Sequence, residues 1–238
     1  KLYRAELTLG SSTDTQDSSG NILERRDVNV LPEDIERVVK EFTGRIGQIP
    51  PMYSAVKVDG KKLYELARKG ITVERKPRDI EIFSIKIIKN INQTGINEPK
   101  KIIMDVHCSK GTYIRTLCND IGERLGCLGH MSFLLRMKSG RFDLNNALTL
   151  QEIAEHAANK TLEDKLLSAE LAFDDIPDVR LNKENLPKFM NGVHIDLDDL
   201  LKKIQGSVKV YDDLGKFIAI GEVIQMKSKT LLKSKKFF

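Results

Sequence analysis

The chain has 238 residues, 40% of them apolar and 31% charged, which excludes a disordered or fibrous protein and leaves room for one large domain or a large and a small one. No apolar run reaches the length of a membrane-crossing helix, and the opening Lys1-Leu2-Tyr3-Arg4 lacks the apolar core of a signal peptide. Lysine plus arginine exceeds aspartate plus glutamate by 39 − 34 = 5, yet residues 227–238 alone carry five lysines and no acid, so the rest of the chain sums to zero.

In chain order, residues 2–9 alternate with Tyr3, Ala5, Leu7 and Leu9 on one face, which predicts a half-buried strand. The chain thus begins inside an element and without an initiating Met, and the expectation is an upstream segment that has been removed or is supplied separately. A polar loop runs from Gly10 to Gly20. Pro32 opens a helix with Ile35, Val38, Val39 and Phe42 at helical spacing, and Gly44 marks its end. Residues 47–60 cannot be regular, because Pro50 and Pro51 together remove two donors and fix two φ angles. A short basic helix, Lys61 to Lys69, is closed by Gly70.

Two strands follow, Asp79 to Lys89 and Ile102 to Cys108, joined as a hairpin by a polar connection holding Asn90, Asn92, Gly95, Asn97 and Pro99. Ile114, Leu117, Cys118, Ile121 and Leu125 stripe a helix from Tyr113 to Gly126. Thr149-Leu150-Gln151-Glu152 is a capping box for a helix through about Ala158. Beyond Pro177, strand candidates Val208–Tyr211 and Phe217–Val223 flank the turn Asp212-Asp213-Leu214-Gly215 and suggest a small β module. Most of the tail from Lys227 to Phe238 is expected to be disordered.

Charge is unevenly spread. Residues 57–78 hold eight Lys/Arg against three acids and residues 107–141 six against two, whereas 151–200 hold five against twelve. One polyanion-facing side accounts for this, as do plain solvated faces. The three cysteines, Cys108, Cys118 and Cys127, are odd in number and have no Cys-x-x-Cys spacing, which fits a reducing cytoplasm better than a disulfide framework. With His107 and His130 they lie within 24 positions, but only Cys127 and His130 have ligand-like spacing, so no metal site is expected.

The densest chemistry lies at His107-Cys108-Ser109-Lys110-Gly111-Thr112-Tyr113-Ile114-Arg115-Thr116. A strand ends, Gly111 permits a sharp turn, and Thr112 is placed to cap the next helix, gathering N–H groups, hydroxyls and Lys110 around one point. An ordinary capped helix reads the same way. Arg115, however, opposes the helix dipole in the first turn, at a cost of about 0.3–1 kcal/mol unless an anion offsets it. Tyr113 beside it offers a ring and a hydroxyl, or is a core tyrosine.

These residues also carry a resemblance. Lys1-Leu2-Tyr3-Arg4, Gly10-x-x-Thr13-Asp14-Thr15-x-Asp17-x-x-Gly20, Gln48-x-Pro50-Pro51-Met52-Tyr53-Ser54-Ala55-x-Lys57, Gly60-Lys61-Lys62-Leu63-Tyr64-Glu65 and Cys108 to Thr116 together resemble the TruB-type tRNA pseudouridine-55 synthases from residue 1 to about 150. The resemblance implies an α+β fold: a mixed, mainly antiparallel sheet with flanking helices over residues 1–175, and a small β-rich, PUA-like RNA-binding domain over 176–238. It implies a uridine flipped from the T-arm of tRNA, attack by a catalytic Asp, and rejoining of the base through carbon, with no cofactor and no metal.

By the same resemblance Tyr3 packs on the flipped base, Tyr113 contacts it, Arg115 pairs with the catalytic carboxylate, and Leu134 lines the uridine pocket, a plain core role for Leu134 remaining open. Basic residues expected to meet phosphate are Lys57, Lys61, Lys62, Arg68, Lys110 and Arg136, and the partner is tRNA through its T-arm and acceptor region. Residues 52–75 are expected to be mobile without RNA. The family's Leu-Asp-Pro motif is absent from the sequence. Asp14 and Asp17 belong to a different, loop motif, so Arg115 is expected to face an acid carried on a separate N-terminal segment. A monomeric enzyme completed by that segment is the first expectation, and a non-catalytic RNA-binding module the second. A guide-RNA-dependent relative is a weaker third.

Overall fold

In a computed structural model of the chain, which describes residues 1–91, 100–173, 175–197, 204–226 and 229–238, the alternation of residues 2–9 becomes strand β1 (Leu2–Leu9). Its Ala5, Leu7 and Leu9 are fully buried. Burial of a leucine contributes about 1.5–3 kcal/mol, and a one-residue slip would turn all three to the other face, so the register is firmly set. The chain divides into two compact units, Lys1–Ala147 and Leu148–Phe238, so the segment from 148 to 175, assigned by sequence to the larger domain, falls in the second unit.

In the first unit a short ladder of β2 (Ser11–Thr13) and β3 (Ile22–Arg25) folds the polar loop, and α1 (Pro32–Glu41) buries Ile35, Val38 and Val39. Strand β4 (Gly44–Gln48) leads into a long excursion containing the hairpin β5 (Lys57–Val58) and β6 (Lys61–Lys62) and the short α2 (Leu63–Ala67). The basic helix is thus shorter than its sequence suggests, because residues 57–62 pair as strands. Then come β7 (Arg78–Ile91), β8 (Lys101–Cys108), α3 (Ile114–Arg124), β9 (Gly129–Ser139) and β10 (Phe142–Asp143). The β7 to β8 connection lies mostly outside the described residues.

The main sheet has the order β10-β9-β1-β8-β7-β4, with every pairing antiparallel. Strand β9 beside β1 was not foreseen from sequence: its first residues are buried, but Phe133, Leu134, Arg136 and Lys138 are exposed, which erases the alternation. Helices α1 and α3 cover one face, packing Ile114, Leu117, Cys118 and Ile121 on Ala5, Leu7, Leu9, Met104 and Val106. Helix α3 approaches β9 so closely that a Cβ on Gly122 would lie 2.2 Å from the Gly129 nitrogen, so this crossing needs glycine. The opposite face is polar: Arg4 clamps Asp105 with bonds of 2.8 and 2.9 Å, and Lys101 reaches Glu6 at 2.9 Å.

The second unit contains α4 (Leu150–Ala158), whose capping box forms as expected, with Thr149 N–H donating to Glu152 at 2.7 Å. After β11 (Asp178–Arg180), α5 (Asn185–Met190) and β12 (Ile195–Asp196) come β13 (Gly206–Tyr211), β14 (Phe217–Met226) and β15 (Lys229–Phe237). They form a sheet of order β11-β13-β14-β15-β12 over a core of Phe189, Val208, Val210 and Leu232. The lysine-rich tail, expected to be disordered, is therefore largely the strand β15. Buried Thr230 and Leu232 anchor it, and its exposed lysines sit on the open side.

Candidate active site

The site starts where β8 stops. Ser109 accepts a hydrogen bond from the Glu81 N–H at 3.0 Å, and Gly111 turns the chain at φ +88°, where a side chain would strain the backbone. Thr112 does not cap α3, because its hydroxyl donates back to the Ser109 carbonyl at 3.2 Å, leaving Tyr113 as the N-cap without a side-chain cap of its own. The capping comes from across the fold. Gln48, 3% exposed at the end of β4, accepts the Tyr113 N–H at 2.8 Å and donates to the Tyr113 carbonyl at 3.0 Å.

Arg115, in the first turn of α3, has its anion, and it lies within this chain. Its Nη1 donates to Asp17 at 2.9 Å and to the Thr15 carbonyl at 3.4 Å, and its Nη2 donates to the Tyr53 carbonyl at 2.8 Å. The sequence places this anion on a separate N-terminal segment and leaves Asp17 to its loop; the structure corrects that by pairing Arg115 with Asp17 of the chain itself. The reason is topological: Asp17 bridges Met131 of β9, with the Ser18 N–H on the Met131 carbonyl at 2.9 Å and the Met131 N–H on the Gln16 carbonyl at 3.0 Å, which lays the loop beside α3. Thr116 secures the same loop through Gln16 at 2.8 Å.

Burial works against a charge on Asp17, but bonds from Ser19, Thr15 and Arg115 outweigh it and hold the carboxyl below its usual range. Both partners are mostly enclosed, with 23% of the Arg115 side chain and 18% of the Asp17 side chain exposed. Two of the five guanidinium hydrogens, Nε–H and one on Nη2, have no acceptor among the described residues. These two remain for a further acceptor such as a second carboxylate.

Tyr3, Leu134 and Arg136 share one face of the sheet, because Tyr3 pairs with Arg136, Ala5 with Leu134, and Tyr3 and Ala5 point the same way. This is the face on which α3 packs. Leu134 is 40% exposed, which removes the plain core role. Tyr3 and Tyr113 are half-buried, and neither phenol has a hydrogen-bond partner among the described residues. Of the basic residues, Lys57 and Lys62 stand opposite each other on β5 and β6, a repulsive pairing in the absence of an anion. Lys62 and Arg68 both lie over the Tyr64 ring at 5.4 Å. Lys57, Lys61, Arg68, Lys110 and Arg136 are exposed. Burial pushes the thiols of Cys108, Cys118 and Cys127 up, which suits packing rather than reactivity.

Residues 1–114 match the family model described as TruB family pseudouridylate synthase (N terminal domain), and residues 115–174 match that of the tRNA pseudouridylate synthase B C-terminal domain. A tRNA pseudouridine synthase B of Syntrophomonas wolfei is 40% identical over 238 residues, covering 100% of this chain and 77% of the relative. The chain belongs to the TruB family of pseudouridylate synthases. Its counterpart in Alkaliphilus oremlandii is 46% identical over 204 residues, which make up 86% of this chain and 65% of the relative. For the Pelotomaculum thermopropionicum synthase the figures are 47%, 75% and 56%, so the chain spans between about half and two thirds of these two relatives. The TruB-type fold is also that of the structure titled a Cbf5-Nop10-Gar1 complex, with a TM-score of 0.69 and 22% identity over 100% of this chain and 66% of that one.

Two residues that meet at the start of α3 have no assigned role in the sequence. Asp17 reads as part of its loop motif, and Gln48 stands in the Gln48-x-Pro50-Pro51 motif without a role of its own. The signal for Asp17 was the unpaired Arg115 itself. For Gln48 there was none, since a side chain that reaches the backbone of a residue 65 positions away leaves no mark in local pattern.

Proposed function

We propose that this chain is the larger part of an enzyme that isomerises uridine to pseudouridine in the T-arm of tRNA, at position 55, with the nucleophilic Asp supplied by a segment outside these 238 residues. The observation that carries the reading is the Arg115 guanidinium, held by Asp17 and the Tyr53 carbonyl with its Nε and Nη2 hydrogens left over. A base within a folded RNA arm cannot reach a protein nucleophile, so it leaves the stack at a cost of a few kcal/mol. Stacking on an aromatic ring returns about 1–3 kcal/mol, the role assigned to Tyr3 and Tyr113. Leu134 provides an apolar wall.

Arg115 then keeps the incoming carboxylate ionised while Asp17 keeps Arg115 in place. The carboxylate attacks C1′ of the ribose as the N-glycosidic bond breaks, the detached base rotates, and C5 bonds to C1′ and displaces the carboxylate. The proton on C5 departs in the last step. Lys57, Lys61, Lys62, Arg68, Lys110 and Arg136 meet phosphates. Residues 176–238 form a PUA-like module whose basic strand β15 adds to RNA contact. The excursion that carries residues 52–75 orders on RNA.

The test is release of tritium from a [5-³H]uridine-labelled T-arm stem-loop by the chain with and without a peptide containing the family's Leu-Asp segment. Tritium release only with the peptide, abolished by Arg115→Ala, is the expected result. Tight, salt-sensitive binding of the stem-loop with no release in either case would instead favour the non-catalytic RNA-binding module.

A further inference from the structure

We propose that Gln48 is a positioning residue that fixes the start of α3, and through it Tyr113 and Arg115, by gripping the backbone rather than any side chain of the site. Its catalytic consequence rests on the function proposed above. Its structural part does not.

An N-cap residue normally leaves its N–H to water or to a nearby side chain, and the helix supplies only one donor for its carbonyl. Tyr113 departs from both. Its N–H goes to Gln48 Oε1, and its carbonyl takes two donors, the Leu117 N–H at 3.1 Å and Gln48 Nε2. One carboxamide thus closes a paired set of bonds on a single residue, as a strand partner would. The grip is buried, since Gln48 is 3% exposed, and there an unmet bond costs most.

Gln48 is well placed for this. It is the last residue of β4, it pairs with Arg78 to close the base of the 49–77 excursion, and Pro50 and Pro51 prevent the strand from continuing. Five residues on, the Tyr53 carbonyl holds Arg115. Residues 48–53 therefore touch the helix at its N-cap and again two residues on, at Arg115 in the first turn. A shift of Gln48 moves the Tyr113 ring and the Arg115 fork together, and the misplacement of reacting groups by about 1 Å costs catalysis heavily without loss of binding.

The test uses Gln48→Met, which keeps the volume and loses both bonds, and Gln48→Glu, which keeps the acceptor and loses the donor. Amide exchange in the full chain should rise about threefold to tenfold at Tyr113 in Gln48→Met, with β4 and β7 unchanged, and should rise at least as far in Gln48→Glu, whose second oxygen meets the Tyr113 carbonyl in a buried site. With the Leu-Asp peptide, single-turnover conversion of the stem-loop should fall at least tenfold in Gln48→Met while its Kd for RNA holds. Native exchange at Tyr113 in Gln48→Met, or a rise spread equally over β4 and β7, overturns the proposal. An equal loss of RNA binding and turnover also does so. If the unmutated chain with its peptide forms no pseudouridine, the function proposed above fails while the exchange experiment still decides the grip.

Discussion

The main sheet and the 49–77 excursion are joined at one pair, Gln48 with Arg78, and are built on different terms. In the sheet the inner strands β9, β1, β8 and β7 each pair on both sides, and the core from Ala5 to Met131 is continuous. The excursion buries few side chains, Pro50, Pro51, Ser54 and Leu63, and is tied down by backbone carbonyls, Pro50 to Arg75 and Tyr53 to Arg115. Ser54 Oγ and Arg75 Nε, both within it, are the buried side-chain atoms without a partner among the described residues. A region with few apolar contacts and unmet polar groups opens at lower free energy than the core it is attached to.

The contrast is sharpest in truncations of equally buried leucines. Leu7→Ala should lower global stability by about 3–5 kcal/mol, since Leu7 lies in the sheet core. Leu63→Ala should cost less than about 1 kcal/mol globally while raising amide exchange throughout 54–70. Equal shifts of the two denaturation midpoints would erase the distinction between the regions.

Asp17→Asn comes next. Breaking a largely enclosed ion pair leaves Arg115 unmatched, and a loss of about 1–3 kcal/mol is expected at pH 7. The folded-state pKa of Asp17 is lowered, so its contribution is present above the ordinary carboxyl pKa and fades as pH falls through the folded value. Urea midpoints of the two proteins should therefore differ at pH 7 and draw together below about pH 4. A gap that does not narrow in acid would remove the ionic account.

In the excursion, replacing Lys57 and Lys61 by Ala should make the slope of log affinity against log salt shallower by about 1.4 to 1.8 for RNA. Folding stability should stay within about 0.5 kcal/mol, because the substitutions also relieve the Lys57–Lys62 repulsion. An unchanged salt slope would take the hairpin away from the phosphates. The smallest effect is at Asp120 on α3, where burial and the like charge of Glu123 raise the carboxyl pKa despite a bond from Asn119. Its charge is a burden at neutral pH, so Asp120→Asn should stabilise by a few tenths of a kcal/mol, read as a small rise in Tm.

Much of the site was legible one segment at a time. Arg115 in the first turn of a helix needs an anion, and one is there. The helix dipole does not say which, because Asp17 lies 98 residues away and comes near only through the bridge to β9. The β9 strand itself was illegible, as its exposed apolar residues break the two-residue rhythm. Thr112 looked like a cap by type and place, yet the turn offered its hydroxyl a nearer acceptor in Ser109.

Local pattern was sufficient for β1, α1, β8, α3 and the Thr149 capping box, because periodicity, prolines and capping chemistry act within a few residues. The meeting of Asp17, Gln48 and Tyr53 at the start of α3 was decided by tertiary structure alone. Those contacts span 62 to 98 positions and several go to backbone atoms, which every residue carries alike. Side-chain identity says what a group can bond to, and only the path of the sheet determines which group arrives.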